Sequence, residues 1–316
     1  MISVRQLRRR LGLWRYAVLH GARDRRLARA AAEAQREADA ALEALPPLPA
    51  AGDGPEAHIM CGERQFVMGA WSSYSLLRFI PEARLVVHTD GSLTEQTLAR
   101  WRRIAPGMRV VSREEGLAAM RRRLRPFPRI LDWCERYHFG IKLGGTHSIA
   151  EAQRVLEFDS DTLALREPRA LLDALRDSSV PLTWNADIAY CYAYPEATLR
   201  DALGDMLGPL PWRLNGGLMA GRRLDDADWA LLDAALGRFG ERAGIDPMRF
   251  WMHQTLIAVL ASHMGDKARP LPREYDIHDG PTRPDASMRH YVGHPGIRPR
   301  FFIEGVPFVR DAVEPM

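Results

Sequence analysis

The chain has 316 residues, 46% of them hydrophobic and 27% charged, the ordinary composition of a soluble globular protein with ample material for one large packed domain or two small ones. The net charge of +4 is unevenly spread. Residues 1–30 carry nine arginines against the single acid Asp24, while the remainder has 35 basic against 39 acidic side chains, which argues against a nucleic-acid groove across the body and for a basic N-terminal element with its own role. No apolar run approaches the roughly 18 to 20 residues that span a bilayer, and the N-terminus has no apolar centre of a secretion signal. Cys61, Cys134 and Cys191 are too widely spaced for a zinc knuckle or a redox pair, so they read as reduced core thiols of a cytoplasmic protein.

In chain order, Val4, Leu7, Leu11, Trp14 and Val18 recur in steps of three and four, which predicts a helix with one apolar face and arginines on the others. Such a helix suits an anionic lipid surface, the folded body of the chain or a second subunit. The helical composition continues to residue 45. Pro46-Pro47-Leu48-Pro49 with Gly52 and Gly54 predicts a linker over 46–56, and residues 57–316 form the folded body. There the pattern alternates: strand His58 to Cys61, helix near Phe66 to Phe79, strand Arg84 to His88, helix Leu93 to Ile104, strand Arg109 to Ser112. This alternation predicts parallel βαβ units with the ligand site at the carboxyl ends of the strands. From Asp187 onward strands become sparser and the connections richer in Pro and Gly.

The segment Arg154 to Thr162, RVLEFDSDT, is an apolar strand that delivers Asp159 and Asp161 on one turn, with the small Ser160 between them. Two carboxylates on one turn repel each other unless a cation or proton intervenes, and a hard cation such as Mg²⁺ or Mn²⁺ there can bridge to a diphosphate. Alone, the tripeptide also fits an acidic surface turn. In Asn215-Gly216-Gly217 the missing Cβ atoms let the backbone approach a sugar, while the amide both donates to and accepts from hydroxyls.

Seven segments then stand in a telling order: His58 to Gly62 before a helix, Lys142, Asp159-Ser160-Asp161, Asn215-Gly216-Gly217 before Leu218 and Met219, His253-Gln254 opening an apolar helix, Leu271-Pro272 leading to Tyr275, and His290-Tyr291. Together they resemble the GT-A nucleotide-sugar glycosyltransferases, especially compact bacterial enzymes related to glycosyltransferase family 8, over roughly residues 57 to 305. The resemblance implies an α/β fold, a Rossmann-like mixed sheet flanked by helices, behind an N-terminal helical extension. It also implies a nucleoside-diphosphate sugar donor, uridine being the family's habitual base, and a glycan or other hydroxyl acceptor.

Carried over residue by residue, Asp161 becomes the leading ligand of Mn²⁺ or Mg²⁺, Asp159 the supporting one and His290 a third, presented from a mobile C-terminal loop. Lys142 contacts donor phosphates or sugar, Asn215, Gly216 and Gly217 line the sugar pocket, and Gln254 faces the reacting carbon. Cys61, Gly62 and Asp90 lie at strand ends where the nucleotide base is held. The turn-rich stretch Asp279 to Asp285 has the composition of a lid, with Arg298 and Arg300 beyond it for phosphate oxygens. Trp184-Asn185-Ala186-Asp187 and Trp212 read as acceptor-side residues or core aromatics. His253 stands where many relatives have an aspartate, which keeps open a non-catalytic nucleotide-sugar-binding or scaffold protein of the same fold. A haloacid dehalogenase-type phosphatase also has a strand followed by Asp-x-Asp, but it needs Thr or Val two residues past the second aspartate, where this chain has Leu163.

Overall fold

A computed structural model describes residues 4–49 and 52–313, with side chains from residue 21 onward. Helix α1 runs over Val4–Ala41 and ends in a single 3-10 turn, Leu42–Ala44. The chain then alternates through β1 Glu56–Met60, α2 Phe66–Leu77, β2 Arg84–His88, α3 Glu95–Ile104, β3 Arg109–Val111, α4 Arg113–Arg123 and α5 Pro128–Arg136. Thr94 and Ser112 start α3 and α4 by accepting the backbone N–H groups of Thr97 and Glu115, which satisfies donors that a helix start leaves open. A π-helical turn, Ile141–Gly145, leads into α6 Thr146–Ile149, followed by β4 Arg154–Phe158, β5 Thr162–Ala164, α7 Arg169–Arg176, β6 Leu182–Ala186 and α8 Glu196–Leu203. The last part comprises β7 Leu214–Arg222, α9 Asp226–Glu241, α10 Met252–His263, β8 Arg269–Pro270, β9 Met288–His290 and α11 Val306–Asp311.

Seven strands form one mixed sheet in the order β3-β2-β1-β4-β7-β6-β8. The first four are mutually parallel, β7 runs antiparallel to both β4 and β6, and β8 is parallel to β6. The strands read from the first half are therefore present within a residue or two. Side chains alternate across the sheet, so Ile59, Leu156, Phe158 and Leu218 join one apolar layer while Met219 joins the other. The first layer also takes in Ala38, Leu42, Leu45 and Leu48, so the chain from residue 38 packs into the body, and the Trp71 indole N–H donates to the Ala38 carbonyl at 2.9 Å.

The opposite face of β1, β2 and β4 mixes polar groups with the buried Val86 and Val155. Glu56, His58, His88 and Glu157 are buried there, with His58 Nδ1 2.9 Å from His88 Nε2 and Glu56 paired with Arg84. A second, two-stranded ladder pairs β5 with β9 antiparallel, and sets Thr162 opposite His290. Among the described residues no helix is long and apolar enough to cross a membrane.

Candidate active site

Strand β4 is buried from Val155 onward and stops at Phe158, so the next residues emerge at the carboxyl edge of the parallel strands. The Asp159 amide donates to the Gly217 carbonyl at 2.8 Å, which ties the turn to β7. Asp161 then enters β5, and its carbonyl accepts the Tyr291 amide at 2.7 Å. This ladder brings together residues 129 positions apart in sequence: His290 Nε2 lies 3.1 Å from Asp161 Oδ1 and 3.5 Å from Asp159 Oδ2. One ligand atom from each of Asp159, Asp161 and His290 falls within 4.8 Å of the others, and two carboxylates with an imidazole suit a hard or borderline divalent cation.

The imidazole is oriented from behind. Asn215 Oδ1 accepts from His290 Nδ1 at 3.1 Å and from the Gly217 amide at 2.7 Å, while Asn215 Nδ2 donates to Asp187 Oδ2 at 2.6 Å. With Nδ1 protonated, Nε2 is the atom that faces the two aspartates: it donates to Asp161 when protonated and becomes a ligand atom when a metal displaces that proton. Burial pulls the His290 imidazole down, but Asp161 and Asp159 together more than offset this and hold it above the usual histidine range. Burial likewise pushes Asp161 up, yet His290 and Arg298 keep it below the usual carboxylate range. Arg298 Nη2 meets Asp161 Oδ2 at 2.5 Å, and Lys142 Nζ meets both Asp159 Oδ1 and the Gly216 carbonyl at 2.5 Å.

Beyond the acidic pair a cleft of about 450 Å³ opens, and its wall includes Cys61, Gly62, Asp90, Lys142, Ser160 and Arg298. The positions read as nucleotide-side thus share one cavity with the acidic turn. A Cβ at Gly62 would stand 2.6 Å from an Asp90 carboxylate oxygen, so the bare glycine lets the Asp90 side chain keep its place. The Ser92 hydroxyl and amide bond Asp90 and hold its carboxyl below the usual range. Burial pushes the Cys61 thiol up, so it is a neutral wall group.

Other sites fall differently. Gln254 Oε1 accepts the Gly216 amide at 3.2 Å and its Nε2 donates to the Cys191 carbonyl at 2.8 Å, so the side chain braces β7 from α10. His253 is buried beneath Phe139, with ring centroids 4.8 Å apart, and burial aided by the Lys142 charge pulls it down to about 3, which makes it a neutral imidazole. His290 stands on a strand rather than on a loop. The stretch after Asp279 is tied down by the fully buried Arg289, which donates to Gly280 O and Thr282 Oγ1, both at 2.6 Å. Arg300 faces Glu304 and the Gly296 carbonyl. Sequence reasoning missed Arg113, His138 and Phe139 in the cleft wall. The aromatic run Tyr137-His138-Phe139 just before Lys142 was the available signal.

No protein-family model and no curated protein sequence matches the chain. Solved structures do. Mouse xyloside xylosyltransferase 1 superposes with a TM-score of 0.52 at 11% identity, over 76% of this chain and 98% of that one. The bifunctional glycosyltransferase WbbM superposes with a TM-score of 0.53 at 13% identity, over 80% of this chain and 49% of that one. The fold is therefore the GT-A fold, a mixed α/β sheet with the acidic turn at its carboxyl edge.

Proposed function

We propose that the protein is a metal-dependent glycosyltransferase that moves a sugar from a nucleoside-diphosphate donor, with UDP as the first candidate, to a hydroxyl group of an acceptor. The observation that carries this reading is the convergence of Asp159, Asp161 and His290 at the mouth of a cleft whose wall also presents Lys142, Arg113 and Arg298. The three side chains fit Mn²⁺ or Mg²⁺, which when bound neutralises charge on a departing diphosphate. Asp161 and Asp159 hold the cation from one turn, and His290 closes the set with an orientation fixed by Asn215 and Asp187. Lys142 and Arg298 supply further positive charge for phosphate oxygens, while Gly62 and Asp90 sit where backbone and carboxylate reach a base or ribose. Asn215, Gly216 and Gly217, braced by Gln254, form the floor toward the donor sugar.

We further place the protein on the cytoplasmic side, with the arginines of residues 1–30 as a peripheral contact to anionic lipid or, in the competing use, to a second subunit. The test of the reaction is a hydrolysis screen of common nucleotide sugars with Mn²⁺. The expected result is metal-dependent release of nucleoside diphosphate from at least one donor. No release from any donor, or release that a chelator leaves unchanged, contradicts the proposal.

A further inference from the structure

A second groove, of about 470 Å³, lies between the end of β6, β8 and the C-terminal end of α10. We propose that it binds saccharide units of a glycan acceptor outside the transfer cleft, through Trp212, Trp184, Arg213 and Asp276. This rests on the glycosyl-transfer reading and narrows it to an acceptor longer than one sugar.

Topology brings the groove to the right edge of the molecule. Strand β6 runs parallel to β4 and β7 antiparallel, so Ala186 at the end of β6 and Leu214 at the start of β7 share the edge that carries Asp159. Asp187, one residue past Ala186, is the carboxylate that anchors Asn215. The groove's inner end therefore adjoins the catalytic network. Its outer end reaches Ser262, eight residues along α10 from Gln254, about 12 Å at the helical rise and enough for two or three sugar units.

The chemistry of the wall is that of sugar recognition. Trp212 is 69% exposed, the most exposed large apolar side chain among the described residues, and offers an indole face on which the C–H face of a pyranose can lie. The next residue, Arg213, has φ +57°, a left-handed conformation that a long side chain adopts at a cost and that marks a constrained corner. Trp184 lines the wall at 2% exposure with its indole N–H unpaired, and Arg213 Nε is buried without an acceptor. Asp276 stands 3.9 Å from Arg213 Nη2, beyond hydrogen-bond reach, and burial pushes its carboxyl up despite that arginine. The partly exposed Arg213 and Asp276 side chains, at 30% and 22%, offer a donor fork beside a loosely held acceptor and match neighbouring hydroxyls, which both donate and accept. A phosphate would gain little, because Asp276 and Asp266 offset the positive charge of the wall.

The test is saturation-transfer NMR of the full chain with malto-, cello-, galacto- and chito-trioses, each up to about 10 mM, a range suited to weak millimolar binding. Trp212→Ala and Asp276→Asn are compared with wild type, and calorimetry of UDP with Mn²⁺ is run on the same samples. Binding of at least one triose by wild type, weakened at least about tenfold by Trp212→Ala and by Asp276→Asn, supports the groove. No triose bound by wild type, or binding that both substitutions leave unchanged, overturns it. If a triose binds while UDP with Mn²⁺ does not, the donor reading fails and the groove stands; the converse spares the donor site and removes the groove.

Discussion

A methyl group on residue 217 would stand 2.0 Å from His290 Cε1 and 2.5 Å from Nδ1, well inside contact distance, so the imidazole reaches the acidic pair only because Gly217 has no side chain. This gives the glycine pair a sharper role than close approach to a sugar. Gly217→Ala must displace either His290 or the β7 backbone, and the ring is the softer of the two. The variant is expected to keep its far-ultraviolet spectrum and to bind Mn²⁺ at least about tenfold more weakly, the loss of one ligand costing roughly 1.4 kcal/mol or more. Paramagnetic relaxation of water protons during a Mn²⁺ titration reads this directly, and an unchanged affinity would remove His290 from the ligand set. At this scale the sequence was most legible where a residue's chemistry is local. Asp159 and Asp161 share one turn, and Gly62 and Asp90 sit at strand ends. The support was not legible: nothing in Trp-Asn-Ala-Asp shows that Asp187 anchors Asn215, because that bond depends on β6 and β7 being neighbours.

Among the elements, the three-residue ladder of β5 and β9 does most to build the site, and it was the hardest to see. Met288 to His290 is too short to show a period of two, and its partner lies more than 120 residues upstream. The resemblance supplied His290 as a ligand, but on a mobile loop; pairing with Thr162 and the buried Arg289 make it a fixed strand residue. Helix α1 is the opposite case, readable at once from its periodicity but not in where its packing begins. Ala38, Leu42 and Leu45 are buried, and Arg100 binds Asp39 and Glu43 at 2.8 and 2.7 Å. Deleting residues 1–45 removes two buried leucines worth on the order of 3–6 kcal/mol together, a large share of the 5–15 kcal/mol by which domains are stable. That deletion should lower the melting temperature by about 10 °C or more or yield insoluble protein. Deleting residues 1–20 should leave the melt within about 2 °C and abolish salt-sensitive flotation with anionic vesicles. Equal melting of both deletions would contradict the packing argument; a short deletion that changes subunit number and not flotation would make the segment a dimer contact.

Over the whole molecule, alternating strands and helices gave the parallel half of the sheet, because local periodicity and turn residues decide those units. The second half was less legible, since β7 enters antiparallel between β4 and β6 and strand order depends on long-range pairing. Neither was the layer of Glu56, His58, His88 and Glu157 apparent, because period-two alternation in β1 and β4 looks like a half-exposed strand until α4 and α6 are known to cover it. What the architecture achieves is convergence: β1, β2 and β4 deliver Gly62, Asp90 and Asp159 to one edge, and β7 and β9 bring Gly217 and His290 to meet them. The proposed function requires that this edge bind a nucleoside diphosphate through a metal. The most direct measurement is a calorimetric titration of UDP, then GDP, ADP and CDP, into wild type and Asp161→Asn, each with Mn²⁺ and with chelator. Wild type with Mn²⁺ is expected to bind at least one nucleotide, with a loss of at least about a hundredfold, roughly 2.7 kcal/mol, both with chelator and in Asp161→Asn. Equal affinity with and without metal, or an Asp161→Asn protein that binds as wild type does, would contradict the proposed function.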